Sequence, residues 1–210
     1  MPNRDVTNLR QDYQVSELDL SKVDPNPIVQ FNLWFEEALK TSIREPNAMT
    51  IATVNSEGQP SCRIILLKEL KPEGFIFYTN YDSTKGKHLA VNPKAALNFF
   101  WDLLERQVRV EGLVEKISAE DSDKYFYSRP EGSQLGAIAS PQSQEVKDRA
   151  ELESRLKDAS EREIKRPGHW GGYILKPEMI EFWQGRSNRM HDRIQYRLEA
   201  GEWSKRRLAP

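Results

Sequence analysis

The stretch AMTIATVNSEGQPSCRIILLKELKPEGFIFYTN, residues 48–80, sets β-branched and aromatic runs against two turns punctuated by Gly and Pro, SEGQP and KPEG. This pattern predicts three consecutive antiparallel strands, since branched and aromatic side chains suit a pleated surface while Gly and Pro supply the turn conformations. Strand patterns recur further out, at KAALNFFW (94–101), RQVRVEGLVEKI (106–117), HWGGYILKP (169–177), MIEFWQ (179–184), RMHDRIQYRL (189–198) and EWSKRRL (202–208). In residues 106–117, Val108, Val110 and Val114 alternate with Gln107, Arg109, Glu111 and Glu115, the period of a sheet with one dry face. About eight short strands favour a small closed or partly closed barrel, because closure removes exposed edges. The expected class is mainly β with inserted helices (α+β).

Helical signals lie between the strands. Asn26 stands as N-cap before Pro27, and Ile28, Phe31, Phe35, Leu39 and Ile43 recur near helical spacing. A short helix is expected around KGKHLAVN (85–92). Between 118 and 160 the pattern turns helical again, starting with Ser118 and Asp121 as a loose capping box and ending in the charged, solvent-facing run 145–163. Residues 1–25 are polar and unpatterned and read as a mobile arm or lid; residues 26–210 read as a single domain.

Composition narrows the function. A net charge of −1 over 210 residues argues against a partner bound by bulk electrostatics, so no nucleic-acid role is expected. Cys62 is alone, so no internal disulfide can form; it reads as a small buried hydrophobe in a strand. No Cys/His spacing points to a metal site. No window approaches the roughly 20 apolar residues that span a bilayer, and the first residues lack the apolar core of a signal peptide. The cytoplasm is the expected location, with no membrane partner.

Three groups of anion-friendly residues nevertheless stand out. If 189–198 is a strand, Arg189, His191 and Arg193 share one face, with the outer two roughly 13 Å apart. That face is either a solvated arginine surface or a place for two ligand groups. Arg63 and Lys68 bound one apolar strand, and Thr79, Ser83, Thr84, Lys85 and Lys87 gather at a strand-to-helix junction, a reasonable phosphate cradle. Tyr125, Arg129 and Ser133 follow at spacings of four and would share a helix face. Together they imply one or two planar, phosphorylated ligands.

RIILLK (63–68), FYTN (77–80), ERQVRVEG (105–112), YFYSRPEGSQLGA (125–137), QS (142–143), WGGY (170–173), EFWQG (181–185), RMHDR (189–193), the terminal RLAP and the LRQDY arm (9–13) run in consistent order along nearly the whole chain. In these motifs the sequence resembles the pyridoxamine/pyridoxine 5′-phosphate oxidase family. The resemblance implies an FMN-binding split β-barrel that is a homodimer with FMN at its interface. It implies oxidation of pyridoxine 5′-phosphate or pyridoxamine 5′-phosphate to pyridoxal 5′-phosphate with O2, in vitamin B6 salvage and biosynthesis, releasing hydrogen peroxide, and ammonia from the amine.

Carried over motif by motif, the resemblance assigns FMN to Arg63, Ile64, Ile65, Leu66, Leu67, Lys68, Tyr78, Thr79, Lys85, Gln107, Gln142, Ser143, Trp183 and Arg193. It assigns the substrate to Lys68, Tyr125, Arg129 and Ser133, to Arg189, Met190 and His191, and to Arg10, Gln11, Asp12 and Tyr13 as lid. Arg189 and His191 would act at the pyridine ring, more by positioning than by obligatory proton transfer. Thr84, Tyr127 and Met190 stand where Arg, His and Leu are common in the family, and Thr84 implies weaker FMN retention. Two alternatives stay open: another flavin oxidoreductase of related fold, or a carrier that binds pyridoxal 5′-phosphate without oxidising anything.

Overall fold

The structure, a computed structural model, describes Thr7, Leu9 and residues 12–210; Arg10 and Gln11 of the expected lid lie outside these. In chain order the elements are α1 (Pro27–Leu39), β1 (Ala48–Val54), β2 (Pro60–Leu66), β3 (Glu69–Lys71), β4 (Gly74–Asn80), α2 (Thr84–Val91), β5 (Lys94–Trp101), β6 (Arg106–Lys116), α3 (Ala119–Ser128), α4 (Glu131–Ala139), α5 (Arg149–Ser160), β7 (Trp170–Gln184), β8 (Asp192–Glu199) and β9 (Glu202–Leu208). The strands form one sheet in the order β2-β1-β5-β6-β7-β4-β3, with β8 and β9 continuing from β7. The pairs β1–β2, β3–β4, β4–β7, β7–β8 and β8–β9 are antiparallel. This is the expected mainly β, α+β class.

Nine strands form, against about eight expected, and two of their boundaries differ from the sequence reading. The run 61–70 divides into β2 and β3, whereas 169–177 and 179–184 fuse into the 15-residue β7. Pro177 does not break β7 because of where it falls. Residues 170–175 pair with β4 and 179–184 with β8, so the proline falls between these two pairings and interrupts neither.

The chain separates into two compact units. The first comprises residues up to Pro46, Asn98–Val110 and Met179–Pro210. Here the Asn26 side chain accepts from the Ile28 N–H at 2.9 Å and starts α1, with Pro27 at its first turn. The buried face of α1 is Ile28, Phe31, Trp34 and Ala38. The expected stripe is corrected at its end: Leu39 is exposed and Ile43 lies past the helix, which closes as Thr41 Oγ1 donates to the Ala38 carbonyl at 2.7 Å. Phe31 packs edge-on to Phe99 at 4.9 Å and Trp34 edge-on to Phe182 at 5.1 Å, aromatic geometries worth somewhat more than their area alone. Toward the N-terminus, Leu18 and Val23 are buried, and the Leu18 N–H donates to Asp192.

The second unit comprises Asn47–Leu97 and Glu111–Glu178. Its core holds Met49, Ile51, Phe75, Phe77, Phe126 and Leu175. In α2, Ser83 is the N-cap and accepts from the Gly86 N–H. Gly86 is required there, since a Cβ would lie 2.0 Å from the Tyr81 carbonyl oxygen. Ser118 caps α3 through the Asp121 N–H, as expected, and α5 is a charged, largely exposed helix. Cys62 corrects its reading: it lies on β2 but is exposed. Residues on β2 alternate exposed and half-buried, and Cys62 falls on the exposed set with Ile64.

Candidate functional site

In the second unit a cavity of about 480 Å³ is lined by residues from both expected clusters there. Its floor is the β2 segment Arg63–Leu66, with Lys68, Tyr78, Thr79, Lys85 and Gln142 around one part and Tyr125, Arg129 and Ser133 around another. Lys85, in the first turn of α2, is buried and donates to Gln142 Oε1 at 2.9 Å, Thr79 Oγ1 at 3.1 Å and Ser83 Oγ at 3.3 Å. Arg63 donates to Thr53 Oγ1 at 2.7 Å, Ser61 Oγ at 2.8 Å and the Ser61 carbonyl at 3.0 Å. Every one of these acceptors is neutral. Burial, then the neighbouring Arg63 charge, holds the Lys85 ammonium down at about 8, and burial lowers Arg63 from its ordinary value.

The phosphate-friendly trio is assembled differently from the single helix face expected for it. Arg129 ends α3 in an extended conformation, the geometry preferred before a proline, and Pro130 starts the turn into α4, which carries Ser133. Helix, corner and second helix thus bring Tyr125, Arg129 and Ser133 to one cavity. The Arg129 guanidinium lies 4.6 Å above the Trp170 ring, and its Nη1 is buried without a hydrogen-bond partner. Tyr125 stacks on Tyr78 at 3.8 Å, and both lie nearly parallel to Trp170. Burial pushes the Tyr78 phenol up to about 12, so it stays protonated and can donate.

Trp170 is a functional candidate that residue-by-residue reading missed. WGGY marked a motif, but nothing local indicated that its tryptophan would support Arg129 from 41 positions away along the chain. Five expected flavin residues stand apart from this cavity's lining: Leu67 is core, Ser143 follows Gln142 in a left-handed turn (φ 69°), and Gln107, Trp183 and Arg193 belong to the first unit.

In the first unit a cavity of about 570 Å³ is lined by Asp12, Tyr13, Arg186, Asn188, Arg189 and His191, among others. The expected strand face of Arg189, His191 and Arg193 is not formed. Asn188 and Arg189 take left-handed backbone angles (φ 54° and 61°), and β8 begins only at Asp192. The Arg186 N–H donates to His191 Nδ1 at 3.1 Å, which closes the turn and leaves a neutral His191 with its proton on Nε2. His191 packs 4.7 Å from Trp183, and Tyr13 meets both rings. Met190 is exposed.

Arg193, on β8, is clamped by Glu181, with Nε to Oε1 at 2.9 Å and Nη2 to Oε2 at 3.1 Å. Gln107 is half-buried on β6. Among the described residues no group of three or more His, Cys, Asp or Glu is placed to hold a metal ion, and no helix is long and apolar enough to cross a membrane.

Residues 35–162 match the family model described as pyridoxamine 5′-phosphate oxidase, and residues 170–210 match that of the pyridoxine 5′-phosphate oxidase C-terminal dimerisation region. The chain is 54% identical over 209 residues to the pyridoxine/pyridoxamine 5′-phosphate oxidase of Cyanothece sp., covering 98% of each chain. It is 56% identical over 209 residues to pyridoxine/pyridoxamine 5′-phosphate oxidase 1 of Ralstonia nicotianae, covering 98% of this chain and 99% of the relative. Among solved structures, PhzG from Burkholderia lata 383 in complex with tetrahydrophenazine-1-carboxylic acid matches with a TM-score of 0.89 at 28% identity, over 95% of this chain and 100% of that one. A pyridoxamine 5′-phosphate oxidase-related, FMN binding protein from Nostoc punctiforme matches with a TM-score of 0.69 at 20% identity, over 86% and 97%, and so shares the fold.

Proposed function

The chain belongs to the pyridoxamine 5′-phosphate oxidase family, and on that premise we propose that it is an FMN-dependent oxidase with the family's split-barrel fold. It converts pyridoxine 5′-phosphate and pyridoxamine 5′-phosphate to pyridoxal 5′-phosphate. O2 is reduced to hydrogen peroxide, and the amine substrate also takes up water and releases ammonia. One observation carries the reading: Arg63, Lys85 and Arg129 converge on one cavity with no carboxylate paired to any of them among the described residues. A buried lysine and two half-buried arginines left with neutral partners favour a bound anion, and the two groups of donors fit two phosphates.

In this reading Arg63, Lys85 and Thr79 hold the flavin phosphate, while Ile64–Lys68, Tyr78, Gln142 and Ser143 line the rest of the cofactor, joined by Gln107, Trp183 and Arg193. FMN bound there supplies a two-electron acceptor that O2 reoxidises. Tyr125, Arg129 and Ser133 hold the substrate phosphate, the otherwise partnerless Arg129 Nη1 among the donors. Lys68, Arg189, Met190 and His191, with Arg10–Tyr13 as lid, orient the pyridine ring. Because His191 Nδ1 is already an acceptor for the Arg186 N–H, its free function is Nε2–H donation rather than proton removal. Orientation is then the main catalytic contribution of these side chains. The match of residues 170–210 to a dimerisation region supports a homodimer; FMN at its interface is part of the same proposal.

Purified protein tests this directly. It is expected to be yellow and to consume O2 when pyridoxine 5′-phosphate is added, forming pyridoxal 5′-phosphate and hydrogen peroxide in equal amounts. A colourless protein that binds pyridoxal 5′-phosphate without consuming O2 would make it a carrier instead.

A further inference from the structure

Behind Arg63 stands a hydrogen-bond chain that the proposed flavin contacts do not include. Arg63 Nη1 donates to Thr53 Oγ1 at 2.7 Å, and the same hydroxyl lies 3.1 Å from His88 Nδ1. Thr53 is on β1, fully buried, and directly opposite Ser61, which accepts the other guanidinium bonds. His88 is on α2, three residues after Lys85, so one short helix supplies both the buried ammonium and the end of this chain.

The bonding roles follow from chemistry. Arginine can only donate, so the Thr53 oxygen accepts and its own proton is free to be given away. Inside a fully buried site that proton needs an acceptor, and among the described residues His88 Nδ1 lies within reach at 3.1 Å. The fully satisfied arrangement therefore has His88 neutral with its proton on Nε2, the Thr53 hydroxyl turned toward it, and a threonine lone pair fixed on Arg63. No carboxylate takes part, so Arg63 is oriented while its charge stays available to a ligand. A carboxylate at the Thr53 position would orient the guanidinium equally well and neutralise it.

We propose that His88 and Thr53 are positioning residues that aim Arg63 at the flavin phosphate, so that the chain tells FMN from riboflavin partly through a histidine that touches neither. The inference rests on the FMN-binding reading above and on the 53–63–88 network itself.

The test uses full-length apo-protein and flavin fluorescence titrations with FMN and with riboflavin, which has no phosphate. His88→Leu removes the acceptor, and we expect FMN affinity to drop about 10-fold, the scale of a lost hydrogen bond in a charged network, with riboflavin affinity within about twofold of the parent. His88→Asn, whose amide oxygen can replace Nδ1, is expected to restore most of the difference. Thr53→Val should match His88→Leu, and the double variant should lose no more than either single one. Equal weakening toward both flavins, or unchanged FMN binding in His88→Leu, would overturn the proposal. Parent protein that binds neither flavin would instead remove the FMN-binding reading, before any variant is compared.

Discussion

Three arginines of the first unit and the two arginines of the second unit's cavity are held in opposite ways, although the second unit also pairs Arg166 with Asp123 at 2.6 Å away from that cavity's lining. In the first, Arg193 is clamped on Glu181, Arg106 on Glu37, and Arg207 on Asp192, each guanidinium facing a carboxylate of the same unit. In the second, Arg63 rests on Thr53 and Ser61, and Arg129 rests on the face of Trp170. A guanidinium facing a carboxylate has its charge compensated within the fold, so even Arg193, proposed to line the flavin, brings hydrogen-bonding atoms there rather than net charge. One held by hydroxyls and a π-face is ordered without being neutralised, and keeps its field for a ligand. Charge pairing thus separates the arginines that keep their charge for a bound phosphate from those whose charge is met within the fold, which counting basic residues does not.

The sharpest way to break this contrast is Arg129→Ala. Losing the cation proposed for the substrate phosphate is expected to raise the KM for pyridoxine 5′-phosphate about 100-fold, with the apo-protein's FMN affinity little changed, as steady-state kinetics and flavin titration would show. Equal loss of both would mean that the two phosphate groups are not separate.

Lys85→Met should weaken FMN binding about 30-fold, by removing a buried cation of similar length. The parent protein carries a pH signature of the same group. With the ammonium held at about 8, it is charged below that pH and neutral above it, so FMN affinity is expected to fall as pH rises through about 8, and to be flat there in Lys85→Met. Apo-protein stability from this residue moves the other way. From about 8 up to the ordinary lysine value the unfolded chain holds a proton that the folded chain has released, so stability rises with pH in that window. Thermal melts of apo-protein across this range check the sign.

On the other side of the comparison, Glu181→Gln leaves Arg193 in a half-buried place without its counter-charge. A stability loss of about 2 kcal/mol is expected, read as a lower urea midpoint, with the KM for the phosphorylated substrate unchanged. Last and smallest, Thr84→Arg adds an exposed cation at the start of α2 and is expected to tighten FMN binding about threefold. No gain would mean that the Arg63 and Lys85 pair already saturates the phosphate.

Local chemistry made much of this readable in advance. Asn26–Pro27 and Ser118 announce helix starts because capping involves only neighbouring residues, and both form as expected. The strands of 48–80 were legible for the same reason. Where the outcome depends on distant partners, local patterns misled. RMHDRIQYRL alternates as a strand should, yet its first residues are turned aside by left-handed angles at Asn188 and Arg189, conformations that carry no glycine to announce them. Cys62 reads as buried because a lone strand cysteine behaves as a small hydrophobe, but the face it occupies is decided by the register of β2 on β1.

By itself, then, the sequence determined the class of fold, the positions of most strands and helix caps, and the family to which the chain belongs, since these rest on short-range stereochemistry and on motifs in order. Only the tertiary structure decided which cations are neutralised. It set Glu181 against Arg193, Trp170 beneath Arg129, and Thr53 between Arg63 and His88. Electrostatic pairing depends on distances of a few ångströms between groups far apart along the chain, and packing alone sets those distances.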